Sequence, residues 1–232
     1  MDYIITFPED IQLNYVAFDL DSENGKFKAF NRDGQLMDEF DVESFDESVV
    51  EMRTDWTLSK IPYLAHLGFP EGIMIVGPLS RSFLENGFLA DPEVREFRLS
   101  HQLFEPGALS LESLDICRIL EIFWAAKRIL ILLDQVDLNE TGGKPNFQVN
   151  GRGFGVLEAP RGILVHSYLI RKGTLEKLRL LVATQFNNAY INLLIKDLAQ
   201  KYLDGDTISP EGERLIGRCV RLLDPCLSCA TH

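Results

Sequence analysis

Cysteine is scarce in this chain. Only four occur among 232 residues, too few for the disulfide framework of a small secreted scaffold. Long apolar runs are missing as well. The best candidate, Ile129 to Leu133, is bounded by Lys127-Arg128 and Asp134, far short of the roughly 20 residues that span a bilayer. Basic side chains are outnumbered: 23 Lys and Arg stand against 35 Asp and Glu, a net charge of -12. That balance argues against a nucleic-acid surface, because phosphate binding relies on clustered cations. No basic region followed by an apolar core opens the chain, so a secretory signal is not expected and a cytoplasmic protein is. The remaining composition, 46% hydrophobic, 10% aromatic and 25% charged, suits a globular chain long enough for one large core or two small ones.

Breakers and periodicity divide the chain into a strand- and loop-rich region, 1 to 90, and a helical region, 91 to 232. Tyr15 to Leu20 and Phe27 to Phe30 alternate β-formers, with turns at Asn24-Gly25 and Asp33-Gly34. The acid-rich run Asp38 to Glu51 reads as a solvated face or a docking surface for a basic partner. Pro62, Gly68, Pro70, Gly72, Gly77, Pro78 and Gly87 favour loops with short strands such as Ile73 to Val76. Gly77 to Arg81 reads as a tight turn carrying a basic side chain.

Asp91-Pro92 caps and opens a helix to about Leu103. Leu114, Cys117, Leu120, Phe123, Ala126, Leu130 and Leu133 recur at three- and four-residue steps, so 110 to 138 reads as a long helix with a broad apolar face. Thr141 to Pro145 and Asn150 to Gly155 read as loops; the second lacks the ending of a phosphate loop and the spacing of a dinucleotide fingerprint. Ile163 to Ile170 and Leu178 to Val182 read as a hairpin across Lys172-Gly173. A helix from about Ala189 to Leu203 follows, capped by Asn187 or Asn188. The last helix opens at Ser209-Pro210-Glu211 and buries Leu215, Cys219 and Leu223. The expected architecture is α+β, mainly a helical bundle from the helices near 92, 112, 189 and 210, with short strands and a β-hairpin. His66 and His101 read as surface or locally bonded groups, and Glu158 has no assigned role.

The last nine residues concentrate the chemistry. Asp224-Pro225 stops the preceding helix, since proline lacks the donor that helical bonding needs. Cys226 and Cys229, three apart, can turn both thiolates toward one metal ion, and His232 follows three residues later. Spacing alone leaves three readings: half a zinc site, a redox dithiol or two plain thiols. A structural zinc normally takes four ligands, and Cys117 and Cys219 are isolated singles that read as core.

Three separated pieces point one way: Ala159-Pro160-Arg161-Gly162 with His166, Val182-Ala183-Thr184-Gln185-Phe186-Asn187, and Asp224-Pro225-Cys226-Leu227-Ser228-Cys229-Ala230-Thr231-His232. In this order they resemble the C-terminal half of a nickel–iron hydrogenase large subunit, of the cytoplasmic, NAD(P)-linked or multimeric branch. Weaker similarity covers Lys60 to Tyr63 and Val76 to Arg81, and residues 1 to 55 carry least. The resemblance implies reversible splitting of dihydrogen at a nickel–iron centre whose iron carries cyanide and carbon monoxide. Cys226 and Cys229 match its C-terminal nickel ligands, Cys229 bridging to iron. Arg161 matches the arginine poised over the metals, oriented by Asp224. Thr184 matches the hydroxyl that bonds a cyanide, and Ala183 stands where many members have proline. His232 and the carbonyl of Leu180 match ligands of a nearby magnesium, and His166 a supporting group.

One expected motif is absent. The family's first cysteine pair, in an Arg-x-Cys-Gly-x-Cys setting, has no counterpart here, so four thiolates cannot close around nickel within these residues. The expectation is a split large subunit that works only with partner chains: a separate N-terminal half, an iron–sulfur small subunit to carry electrons, since no cluster ligands occur here, and NAD(P)- or ferredoxin-reducing subunits. A chain ending at His232 reads as either a processed form or one needing no processing. The rival reading is a non-catalytic, hydrogenase-like scaffold or zinc-binding subunit of a redox complex.

Overall fold

The computed structural model describes residues 4–7, 12–22, 24–104, 109–136, 143 and 149–231. Strands β1 (Asn14–Asp19), β2 (Lys26–Phe30) and β3 (Leu36–Asp41) form an antiparallel meander. A short helix, α1 (Phe45–Ser48), leads to the hairpin of β4 (Val49–Thr54) and β5 (Thr57–Leu64). Strand β6 (Met74–Val76) then joins the first sheet parallel to β1, giving the order β3-β2-β1-β6. Every residue of β1 is buried, as befits an interior strand covered on both faces. Alternation directs Tyr15 and Ala17 into one core and Val16 and Phe18 into the other.

Helices α2 (Pro78–Arg81), α3 (Pro92–Ser100) and α4 (Leu111–Gln135) follow. Asp91 caps α3 by accepting from the N–H groups of Glu93 and Val94, and Ser110 opens α4 with a capping box to Ser113. A second sheet, ordered β7-β8-β9, contains β7 (Gly151–Ala159), β8 (Gly162–Arg171) and β9 (Thr174–Leu181). It feeds α5 (Ala183–Lys201), which packs on β5, β6 and the later α6. The small pair β10 (Leu203–Asp204) and β11 (Thr207–Ile208) precedes α6 (Pro210–Leu223) and α7 (Leu227–Ala230). The mixed α+β architecture is as expected, and among the described residues no helix is long and apolar enough to cross a membrane.

Several elements differ from the sequence expectation. The glycine-rich stretch after Asn150 is not a loop: β7 pairs with β8 from Gly151↔Ile170 to Ala159↔Gly162. It is an edge strand, where glycine's missing side chain weakens packing but leaves the ladder intact. Helix α5 begins at Ala183, ahead of Ala189, because Thr184, Gln185 and Asn187 bond to other segments and so do not compete for their own backbone. Helix α3 ends at Ser100, and β9 starts at Thr174, earlier than Leu178. Gly77 to Arg81 is a short helix, with Gly77 at φ 119 as its cap. The acidic run is partly internal, since Asp46 and Glu51 both bind Arg179. Most of Thr141 to Pro145, and Leu138, lie outside the described residues.

The N-terminal half of α4 buries Leu111, Leu114, Cys117 and Leu120. Its C-terminal half does not continue that face inward: Ile122 is 70%, Leu130 66% and Leu133 65% exposed. Burial pushes the Cys117 thiol up to about 12, so it stays protonated at neutral pH.

Arg81 ties three elements together. Its Nε and Nη2 donate to the two carboxylate oxygens of Glu121 on α4 at 2.5 and 2.8 Å. Its Nη1 donates to Glu158 Oε2 at 2.6 Å and to the Ala159 carbonyl at 3.1 Å on β7. Glu158 Oε1 also accepts the Phe18 N–H at 2.7 Å. The basic side chain expected on a tight turn is therefore the largely buried centre of an ionic triad. Truncating this side chain would leave two carboxylates with little solvent and no cation, so Arg81→Ala should destabilise the fold by about 3–5 kcal/mol. Equilibrium urea unfolding checks this; an unchanged midpoint would contradict it.

Candidate metal centre

The site is built where α6 stops. Ser209 caps that helix by accepting the Gly212 N–H, and Leu215, Cys219 and Leu223 bury its inner face. At the other end Asp224 adopts a left-handed conformation, φ 47 and ψ 56, which a short polar residue tolerates better than most. Pro225 prevents the helix from resuming. The chain therefore turns sharply at Cys226, whose N–H donates to Thr184 Oγ1 at 2.9 Å. The single turn α7 follows, anchored by buried Ala230.

Cys226 and Cys229 face one another and are joined as a disulfide, with Cα atoms 5.4 Å apart. Reduced, they present two soft sulfurs to one point, a donor type that soft and borderline transition metals favour. The pair lies at the surface, Cys226 half-buried and Cys229 exposed. Among the described residues no group of three or more His, Cys, Asp or Glu could hold a metal. The donors thus fit half of a four-thiolate centre. Cys219 supplies no further sulfur: it is buried in the core, and burial pushes its thiol up to about 12.

Arg161 occupies the two-residue turn between β7 and β8. Its Nε donates to the Asp224 carbonyl at 2.6 Å, and its Nη2 pairs with Asp224 Oδ2 at 2.8 Å. The structure thereby brings together Arg161, Asp224, Cys226 and Thr184, which lie far apart in sequence. Ala183 and Thr184 are the first two residues of α5 and both are buried. The Thr184 oxygen accepts from Cys226, leaving its own proton to donate elsewhere.

Leu180, near the end of β9, lines a cavity of about 600 Å³ with Glu51, Lys60, Arg179, Gln185 and Ala230. Glu51 accepts from Gln185 Nε2 at 2.8 Å and from Arg179 Nε at 3.0 Å. Gln185 Oε1 is buried with no hydrogen-bond partner among the described residues. His232 lies outside the described residues. His166 Nδ1 is 2.7 Å from the Tyr168 hydroxyl. His66 is half exposed, 3.5 Å from Asp38.

Sequence reasoning gave no site role to Glu51 or Gln185, and it read Asn187 as a helix cap, whereas Asn187 lies inside α5. Gln185 and Asn187 had a signal in the motif from Val182 to Asn187 that contains them. Glu51 had none beyond its place in an acidic run.

A family model described as nickel-dependent hydrogenase matches residues 65–232. The NAD-reducing hydrogenase HoxS subunit beta of Cupriavidus necator is 33% identical over 92% of this chain and 45% of its own length. One subunit of the F420-non-reducing hydrogenase of Methanothermobacter marburgensis is 29% identical over 91% of this chain and 46% of its own. The chain therefore spans about half the length of the curated relatives it matches. An NAD+-reducing nickel–iron hydrogenase, crystallised in its H2-reduced state, superposes with a TM-score of 0.83 at 31% identity, covering 96% of this chain and 51% of that one. A Desulfomicrobium baculatum nickel–iron–selenium hydrogenase, at 21% identity and a TM-score of 0.61, shares the fold.

Both members of the Arg161–Asp224 pair are more than a third exposed, so the pair contributes little to stability. Asp224→Asn, which keeps the shape and the left-handed turn, should change unfolding free energy by less than about 1 kcal/mol. Thermal melting checks this; a loss comparable to that of a buried ion pair would contradict it.

Proposed function

The chain belongs to the nickel-dependent hydrogenase family, and from that premise we propose that it is the part of a nickel–iron hydrogenase large subunit that supplies two of four thiolate ligands. The observation that carries the reading is the convergence of Arg161, Asp224 and Thr184 on the cysteine pair. Nothing in the packing of a plain dithiol requires a paired guanidinium and a buried hydroxyl beside it.

Cys226 and Cys229, once reduced, would hold the nickel–iron centre through their thiolates. When bound, such a centre supplies the reversible cleavage of dihydrogen into protons and electrons. The protein's own groups orient and move charge. Asp224 fixes the Arg161 guanidinium through two contacts, one of them charge-assisted. Arg161 or the Cys226 thiolate would serve as the base for that cleavage. Thr184, its oxygen engaged by the Cys226 N–H, would donate its hydroxyl proton to a cyanide ligand of such a centre, with Ala183 beside it. The Leu180 carbonyl and His232 would hold a magnesium ion, and the oxygens of Glu51 and Gln185 in the cavity that Leu180 lines are hard donors of the kind such an ion takes.

The other two thiolates come from polypeptide outside these 232 residues, in the split reading from a companion chain. The surface position of the cysteine pair and the exposed apolar side of α4 support further polypeptide packing here. Electrons leave through an iron–sulfur subunit, because this chain has no cysteine set for a cluster. The NAD-reducing relatives support an NAD-linked partner.

In the complex assembled with its natural partners, Cys226→Ser or Cys229→Ser should abolish nickel retention. Elemental analysis per chain reads the result. A mutant that keeps full nickel and full activity would defeat the assignment, and zinc in place of nickel in the unmodified complex would favour the scaffold reading.

A further inference from the structure

We propose that Asn187 is a positioning residue for Arg161, and that one face of the opening turns of α5 sets the separation between that guanidinium and the cysteine pair. The inference rests on reading Cys226 and Cys229 as metal ligands. Asn187 is buried on α5. Its Oδ1 accepts the Val76 N–H at 2.9 Å, while its Nδ2 donates to the Val76 carbonyl at 3.2 Å and the Arg161 carbonyl at 3.3 Å. A primary amide can accept and donate twice at once, which neither a hydroxyl nor a carboxylate can do. Asn187 thus serves the edge of β6 as an added strand would, and holds the β7–β8 turn with the same group.

The turn fits against β6 only because glycine occupies both sides. A Cβ on Gly162, at φ 133, would lie 2.3 Å from Val76 Cγ2, and one on Gly77 would lie 2.8 Å from the Arg161 carbonyl oxygen. Arg161 is therefore located by its backbone. Its side-chain pair with Asp224 is too exposed to locate it alone.

Thr184 stands three residues before Asn187, and positions three apart share a helix face. Thr184 holds the Cys226 N–H at 2.9 Å. One rigid turn of helix therefore grips the Arg161 turn through Asn187 and the cysteine motif through Thr184. A displacement of the Arg161 backbone would move the guanidinium relative to the sulfurs without unfolding either segment.

The test uses the complex purified with its natural partners and carrying Asn187→Ala, or Asn187→Ser where the alanine variant does not accumulate. Nickel content should stay unchanged and dihydrogen turnover should fall about tenfold, as expected for a misplaced catalytic group. Added to an Arg161→Lys variant, the same change should cause no further loss. A second readout needs no activity. Phenylglyoxal modification of Arg161, followed by mass spectrometry, should quicken several-fold, while that of exposed Arg171 stays constant. Unchanged turnover and reactivity, additive losses, faster modification of both arginines, or failure of both variants to fold would each overturn the positioning role. An unmodified complex lacking nickel would instead defeat the metal reading, leaving arginine reactivity to decide the position.

Discussion

The contact between the backbones of Val76-Gly77 and Arg161-Gly162 is the constraint on which the candidate site depends. No side chain separates them, since a Cβ on either glycine would collide with the opposite segment. The second sheet is thereby brought against the edge of the first at one place, the turn that carries Arg161. Everything on the far side of that turn follows: β8 runs away from it, β9 returns antiparallel toward it, and α5 leaves β9 near the same spot. Helix α6 then needs only to pack on α5 and stop at Asp224-Pro225 for the cysteine pair to arrive beside the guanidinium.

The two ionic arrangements near this turn have different physical characters. Arg81, Glu121 and Glu158 are largely withdrawn from water, so each charge depends on the others and the group fastens α2, α4 and β7 together. Arg161 and Asp224 are exposed and contribute direction more than stability. The first arrangement supports the turn and the second is presented by it. A rigid mount with a charged group at its open end suits chemistry on a ligand that the remaining half of the subunit would help enclose.

Much of this was legible from the residues. The terminal motif, the Arg161 segment and the Thr184 segment pointed to residues that the structure brings together, and two of them carry a backbone feature: Asp224-Pro225 ends a helix, and Pro160-Arg161-Gly162 makes a tight turn. Helix α4 showed its period, and helix α6 both its period and its cap. Strand β7 did not, because its glycines hide alternation and its pairing is supplied from a distance. The start of α5 was missed for a related reason: Thr184, Gln185 and Asn187 look like caps locally, and only their remote partners at Cys226, Glu51 and Val76 release the backbone to be helical. The burial of Arg81 was equally invisible, since both of its acidic partners come from elsewhere in the chain.

The most direct test of the central claim is to purify the chain with its natural partners and measure nickel and iron per chain alongside the identity of every polypeptide present. Nickel and iron should be found together, with a polypeptide segment bearing the missing Arg-x-Cys-Gly-x-Cys motif. A fully assembled complex containing neither metal would contradict the claim and leave a hydrogenase fold without hydrogen chemistry.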